Sequence, residues 1–165
     1  MHKNQHGFRK GRSCLTQLLA HFDYILNNQL HNEDTDVIYL DFEKAFDKVD
    51  HQILLQKLKQ YKIGGKLYQW ISDYLSNRRQ TVVIQGTKSY EGEVTSGVPQ
   101  GTVLRPILLL VYINDLESCI KDCTVSSFAD DTRIKRRITR ASDVETLQAG
   151  VNSSAKWSIK NYVTP

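Results

Sequence analysis

The chain has 165 residues, 40% of them apolar, which fits one globular domain with its own core and leaves no sign of a second. Its 22 basic and 18 acidic residues leave a formal charge of +4, only a weak lean toward a polyanionic partner. Three cysteines, Cys14, Cys119 and Cys123, with no CxxC pair, exclude a readable disulfide framework or zinc site, so reduced thiols in an intracellular protein are expected.

The N-terminal stretch MHKNQHGFRKGRS is basic and lacks the apolar core of a signal peptide. Residues 13–28 then set Leu15, Leu18, Leu19, Phe22, Ile25 and Leu26 on one helical face, and HNEDT breaks the pattern. DVIYLD reads as a short buried strand ending at Asp41. Asp50 is placed to cap a helix carrying Ile53, Leu54, Leu58 and Tyr61 inward, ended by Gly64-Gly65. Leu67, Trp70, Ile71, Tyr74 and Leu75 make the stripe of the next helix. QTVVIQ and the turn at Gly86 open a β-like run to about Val94.

SGVPQG, residues 96–101, is a loop feeding a buried helix from about Pro99 to Cys119. The most apolar part of that helix, Val103 to Ile113, is too short to span a bilayer and carries Arg105, so a soluble chain with no membrane partner is expected, nucleus and cytoplasm undistinguished. TVSSFADDTRIKRRI alternates around turn-prone aspartates, as a hairpin with acids at its tip would. Ser142 with Glu145 forms a capping box for a last helix bearing Val144, Leu147, Val151 and Trp157, in which Gly150 costs roughly 1 kcal/mol relative to alanine. No repeat, linker or low-complexity tract interrupts this order, which mixes helices with a mainly antiparallel sheet and defines an α+β class.

Two acidic clusters carry the chemistry. Asp41 ends an apolar run, where it suits either a metal ligand or a helix cap. The acid-tipped strand of a P-loop hydrolase is excluded because no GxxxxGK[ST] occurs, and residues 41–50 lack the order of a calcium loop. The adjacent like charges of Asp130 and Asp131 repel, a cost commonly offset by a cation, although a plain turn also uses such residues. Three carboxylates on neighbouring strands would make a hard, oxygen-rich pocket for Mg²⁺. The glycines of SGVPQG allow backbone to approach a ligand, or serve an ordinary loop. Phe46 suits a core aromatic, and Arg9 and Arg12 suit phosphate contacts or a flexible terminus.

In this order, QHGFRKGRS, DFEKAFDKVDH, SGVPQGTVLRPILLLVYINDL and FADDT resemble the successive motifs of reverse transcriptases, specifically those of non-LTR (LINE-type) retrotransposons, from about Gln5 to Trp157. The resemblance implies a right-hand polymerase fold in which residues 1–165 cover the inner fingers and palm, an antiparallel sheet packed by helices, with the thumb absent and the domain truncated at both ends. It implies an RNA-directed DNA polymerase that adds deoxynucleotides from deoxynucleoside triphosphates to a DNA primer on an RNA template, using Mg²⁺ or Mn²⁺, with little activity from this stretch alone.

By motif, the resemblance makes Asp41, Asp130 and Asp131 catalytic and metal-binding, with Phe42 adding its backbone carbonyl. Phe46 stands where the family blocks a ribose 2′-hydroxyl, Gln100 and Gly101 line the incoming nucleotide, Phe128 and Ala129 underlie the primer end, and Arg9 and Arg12 meet template or triphosphate phosphates. Two departures stand out: Arg105 replaces a small glycine at a tightly packed helix start, and RIKRR replaces apolar alternation after the acids, both expected to weaken the core or hairpin. The alternatives are a palm-fold remnant that binds nucleic acid without catalysis, and a metal-dependent nuclease, for which His51 is the nearby base, though a turn role suits it better.

Overall fold

The computed structural model describes residues 1–163; Thr164 and Pro165, the last two residues of the expected domain span, lie outside the described residues. In chain order the elements are α1 (Cys14–Leu30), β1 (Asp34–Leu40), α2 (His51–Gln60), α3 (Gly65–Leu75), β2 (Arg79–Gln80), β3 (Val83–Ile84), β4 (Thr87–Lys88), β5 (Gly92–Glu93), α4 (Leu104–Ile113), α5 (Leu116–Cys119), β6 (Thr124–Phe128), β7 (Asp131–Ile138) and α6 (Ala141–Lys160). The class is α+β, as the order of patterns predicts. No helix among the described residues is long and apolar enough to cross a membrane.

The central sheet runs β1-β7-β6 and is antiparallel throughout. Because β7 lies in the middle, Arg133, Ile134 and Lys135 of the RIKRR segment are paired on both sides and Arg136 and Arg137 with β1 alone, so the hairpin forms despite those cations. Alternation disposes of them: Thr132 and Ile134 are buried on one face, while Lys135 is buried on the other. The open edge of β6 is covered by the N-terminal segment, where the His6 N–H donates to the Ser127 carbonyl at 2.8 Å and the Ser127 N–H to the Asn4 carbonyl at 3.1 Å.

On the Ile134 face, α4 and α6 close a core of Leu108, Leu109, Tyr112, Val125, Leu147 and Trp157, joined by Leu54 and Leu58 of α2. Gly150 belongs to this packing. A Cβ there would approach the Cys123 Sγ and Ile120 Cγ2 at 3.3 Å, so the helix-propensity cost accompanies a close approach of α6 to its neighbours. The Lys57 ammonium is buried beside them, donating to the Tyr112 carbonyl and to the Asp115 carboxylate at 2.7 Å, which also accepts from the Trp157 Nε1–H at 3.0 Å.

Helix α1 covers the other face, in an orientation opposite to its apolar stripe. Leu15, Leu19, Phe22 and Leu26 are more than half exposed, whereas Gln17, His21 and Asn28 are buried. The face that α1 covers is polar and cationic, and Asn28 donates to the Thr35 hydroxyl at 2.9 Å. Hydrogen-bonding residues therefore fit inward better than leucines do.

Smaller departures have local causes. The β-like run to Val94 forms only two-residue ladders, β2 with β5 and β3 with β4, because Val82, Val83 and Ile84 find no face to bury against. Tyr61 caps α2 at its exposed end rather than packing inward, and Leu67 and Trp70 of α3 stay half exposed. The helix expected from Pro99 starts only at Leu104, since Gly101 has φ +74, a left-handed conformation no helix continues through. It is split at Asn114-Asp115, which frees Asp115 for Lys57.

The start of α6 is likewise held two residues before the expected Ser142–Glu145 box, with Arg140 at the N-cap. Its cap is the Asp143 carboxylate, which accepts from the Thr139 N–H at 3.0 Å, the Arg140 N–H at 3.1 Å, the Thr139 hydroxyl at 2.9 Å and the Arg136 guanidinium at 2.6 Å. The two main-chain N–H groups and a hydroxyl bind one carboxylate more strongly than a serine hydroxyl would.

Candidate active site

The hairpin of β6 and β7 turns at Ala129-Asp130, with Phe128 paired to Asp131. Ala129 has φ +53, unusual for a residue with a Cβ, and this twist sets the direction of the acid that follows it. On the neighbouring strand Leu40 pairs with Thr132, so Asp41, the next residue along, leaves the sheet beside the acidic tip. Burial raises the Asp130 carboxyl above the ordinary aspartate range, and the charges of Asp131 and Asp41 raise it further. The three acids named from sequence thus meet in one electrostatic neighbourhood, the half-buried Asp130 between the exposed Asp131 and Asp41.

Among the described residues, no three His, Cys, Asp or Glu side chains close into a metal cage by themselves. The expected three-carboxylate pocket is therefore not formed by these side chains alone, and a Mg²⁺ ion here would need substrate phosphates and water to complete its shell. The repulsion at Asp130 is the feature such an ion would relieve.

A second wall comes from the segment after Asp41 and from the SGVPQG loop, laced to each other by main-chain bonds. Gly97 N–H donates to the Val49 carbonyl at 2.8 Å, Val98 N–H to the Phe46 carbonyl at 3.0 Å, and the Ser96 hydroxyl to the Asp47 carbonyl at 3.0 Å. Gly97 has φ +83, and a Cβ there would lie 2.9 Å from the Asp47 carbonyl oxygen, so only glycine permits this approach. His51 Nε2 lies 2.8 Å from the Gly97 carbonyl, a bond that ties the start of α2 to the SGVPQG loop.

Phe42 turns its side chain into the core, its ring 5.8 Å from that of Trp157, and leaves its backbone at the site. Phe46 is half-buried beneath the Arg105 guanidinium, which lies 4.5 Å from its ring centroid and 3.4 Å from the Asp47 carboxylate. Arg105 therefore lies against the loop, its side chain mostly covered and its Nε buried without a partner. Gln100 and Gly101 are exposed; Gln100 lines a cavity of about 660 Å³ with Lys44, Arg78 and Val98.

The N-terminal segment braces the acidic tip from behind. Gln5, buried, donates from Nε2 to the Ala129 carbonyl at 3.0 Å and accepts at Oε1 from the N–H groups of Ala129 at 2.8 Å and Gly7 at 2.9 Å. At Gly7 a Cβ would lie 2.3 Å from the Ala129 nitrogen. Phe8 packs its ring 6.5 Å from that of Phe128, while Ala129 is buried. Arg9 donates to the carbonyls of His2 at 2.6 Å and Gln5 at 3.2 Å, and Arg12 to that of Lys3 at 3.3 Å, so both hold the segment's own backbone. Sequence reasoning passed over Gln5; its signal was the glycine two residues on, a position that tolerates only close backbone approach.

The family model described as "Reverse transcriptase (RNA-dependent DNA polymerase)" matches residues 1–161. The chain belongs to the reverse transcriptase family. Among curated proteins, this reverse transcriptase domain is 33% identical over 139 residues to the "Probable RNA-directed DNA polymerase from transposon X-element" of Drosophila melanogaster, covering 82% of this chain and 15% of that protein. It is 30% identical over 163 residues to the "Probable RNA-directed DNA polymerase from transposon BS" of the same organism, covering 98% of this chain and 17% of that protein. A type-1 retrotransposable element R2 polyprotein of Popillia japonica is 27% identical over 120 residues, covering 66% of this chain and 20% of that protein. These relatives make the reverse transcriptase domain one of the non-LTR, LINE type. Among solved structures, apo telomerase from Candida tropicalis superposes with a TM-score of 0.61 at 12% identity, over 90% of this chain and 33% of that one, which shows a shared palm-type fold.

Proposed function

We propose that residues 1–165 form the inner fingers and palm of an RNA-directed DNA polymerase, adding deoxynucleotides to the 3′-end of a DNA primer on an RNA template. The observation that carries this reading is the meeting of Asp41 with Asp130 and Asp131 at the tip of one sheet, with the Asp130 carboxyl raised by burial first and by its acidic neighbours next. Asp41 and Asp130, with the Phe42 carbonyl, would hold Mg²⁺ or Mn²⁺, supported by Asp131. When bound, the ions lower the pKa of the primer hydroxyl and neutralise the phosphates.

The remaining roles belong to this chain's own atoms. Phe46 excludes a ribose 2′-hydroxyl, its ring held by the Arg105 cation above it. Gln100 borders the incoming nucleotide, and Gly101, with nothing within 4 Å of a would-be Cβ, leaves room for it. Phe128 and Ala129 support the primer end. Arg12, exposed, is free to present its remaining donors to template or triphosphate phosphates, with Arg9 holding the segment that carries it.

The test is primer extension on poly(rA)–oligo(dT) with Mn²⁺, run beside Mn²⁺ binding, for the wild-type chain and Asp130→Asn. Incorporation and ion affinity that both fall in the variant support the assignment, and equal ion affinity in the two proteins overturns it. The lack of a closed three-residue metal cage favours a second reading, a palm that binds nucleic acid without catalysis. That reading calls for RNA binding unchanged by Mn²⁺.

A further inference from the structure

On the α1 side of the sheet, at the end of the hairpin remote from its acidic tip, lies a polar cavity of about 740 Å³. Its wall includes Lys135, a residue only 2% exposed and set on the central strand. Directly across the sheet, Lys135 is opposite Val37 on β1 and Thr124 on β6, neither of them charged. Among the described residues its ammonium makes no hydrogen bond or ion pair, and it sits over the Tyr24 ring, 5.0 Å from the centroid.

Two carboxylates stand on the cavity wall, Asp122 and Asp143, and neither pairs with Lys135. Asp143, which also lines the cavity, has its carboxylate taken up by Arg136, Thr139 and Arg140, and Arg137 is paired with Glu33 at 3.1 Å. Arg136 Nε is itself buried without a partner. On the same face stand Arg133 and His21, and burial together with Arg133 lowers the Lys135 pKa. A buried, solvent-poor ammonium among like charges is costly, and an anion entering the cavity would remove that cost.

We propose that this cavity is a second nucleic-acid contact, in which Lys135 receives one backbone phosphate of a single-stranded RNA and the exposed Arg140 guides the strand at the mouth. A lysine is a point charge that receives phosphate at many angles, and a cavity this polar has little to offer an apolar ligand. Lys135 lies roughly 13 Å along β7 from Asp131, a span of a few nucleotides. The inference rests on the nucleic-acid reading of the family but not on catalysis, because Lys135 is separate from the acids.

The test is fluorescence anisotropy with a labelled single-stranded RNA 12-mer at several salt concentrations, for wild type, Lys135→Met, Thr124→Glu and, as a charge-matched control, Lys88→Met on the exposed β3–β4 hairpin. Lys135→Met removes a buried unpaired charge at nearly constant volume, so it folds at least as well as wild type. Thr124→Glu puts a carboxylate opposite Lys135 from an exposed position. The expected result is an affinity loss of about tenfold for each of these two variants and less than twofold for Lys88→Met, with the salt slope of Lys135→Met reduced by about 0.7. Inorganic phosphate should compete with the RNA in wild type and not in Lys135→Met. Equal losses for Lys135→Met and Lys88→Met overturn the proposal, as does phosphate binding that depends on Lys135 while RNA binding does not.

Discussion

Gln5 grips both main-chain polar groups of Ala129, donating to its carbonyl at 3.0 Å and accepting from its N–H at 2.8 Å, across 124 residues of sequence. Ala129 is the left-handed residue just before Asp130, so one amide side chain fixes the strained link that aims the central acid. Gln5→Ala leaves three buried main-chain groups, the Ala129 carbonyl and the N–H groups of Ala129 and Gly7, without that partner. A loss of about 2–4 kcal/mol is expected, seen as a lower urea midpoint at unchanged m-value. Gln5→Glu, which keeps the acceptor but turns the donor into a carboxylate facing a carbonyl, should do no better than alanine.

Gly97→Ala tests the lacing of the SGVPQG loop. With φ +83 and the Asp47 carbonyl oxygen 2.9 Å from the new Cβ, the loop must move off residues 46–49 or strain in place. The expected cost is about 2–4 kcal/mol, accompanied by faster amide exchange at Val98, whose N–H bonds to Phe46. Alanine at Gly64, where nothing lies within 4 Å, is the matched control and should cost far less.

Asp130→Asn separates the electrostatics of the tip from its use. Without divalent ions the variant should be more stable than wild type by about 0.5–1 kcal/mol, a figure kept small because Asp130 is half exposed and screened, since the substitution removes a burial penalty and the repulsion of Asp131 and Asp41. Adding Mg²⁺ at about ten times its Kd should raise the stability of wild type by roughly 1.4 kcal/mol and leave the variant unmoved, so thermal melts should reverse the order of the two proteins. An unchanged order at saturating Mg²⁺ contradicts the metal assignment.

Asp143 gives the acid limb of the stability profile. Its carboxyl is held far below the ordinary 3.8 by the Thr139 N–H first and by the Arg136 guanidinium next. A depressed folded-state pKa means the unfolded chain binds the proton more readily, so this stabilisation is complete above about pH 4 and disappears as pH falls through the folded-state value. Asp143→Asn should lower the melting temperature at pH 7 and flatten its decline below pH 4, as read by circular dichroism across that range.

Much of this fold is legible from residue pattern. The acid-ended strand, the Asp50 cap, the hairpin with Asp130 at its tip and the order of helices all follow from local periodicity and turn chemistry, because each is decided within a dozen residues. The facing of α1 was not legible, because its apolar stripe gives the wrong answer once β7 presents Lys135 and Arg133 to it, and that pairing is a property of topology. The Asp143 cap hid behind a better-known template two residues further on. Gln5 hid because a long-range amide-to-backbone clamp leaves no periodic trace, although the neighbouring Gly7 marked the spot.

The clamp from the first residues onto the far hairpin also sets an order of events during folding. The β6–β7 turn closes within a few residues and forms early, whereas the Gln5 contact must bring together segments 124 positions apart, an entropically slow step. The orientation of Asp130 is therefore expected to be acquired after the sheet exists, once the segment around Gln5 has docked onto the hairpin.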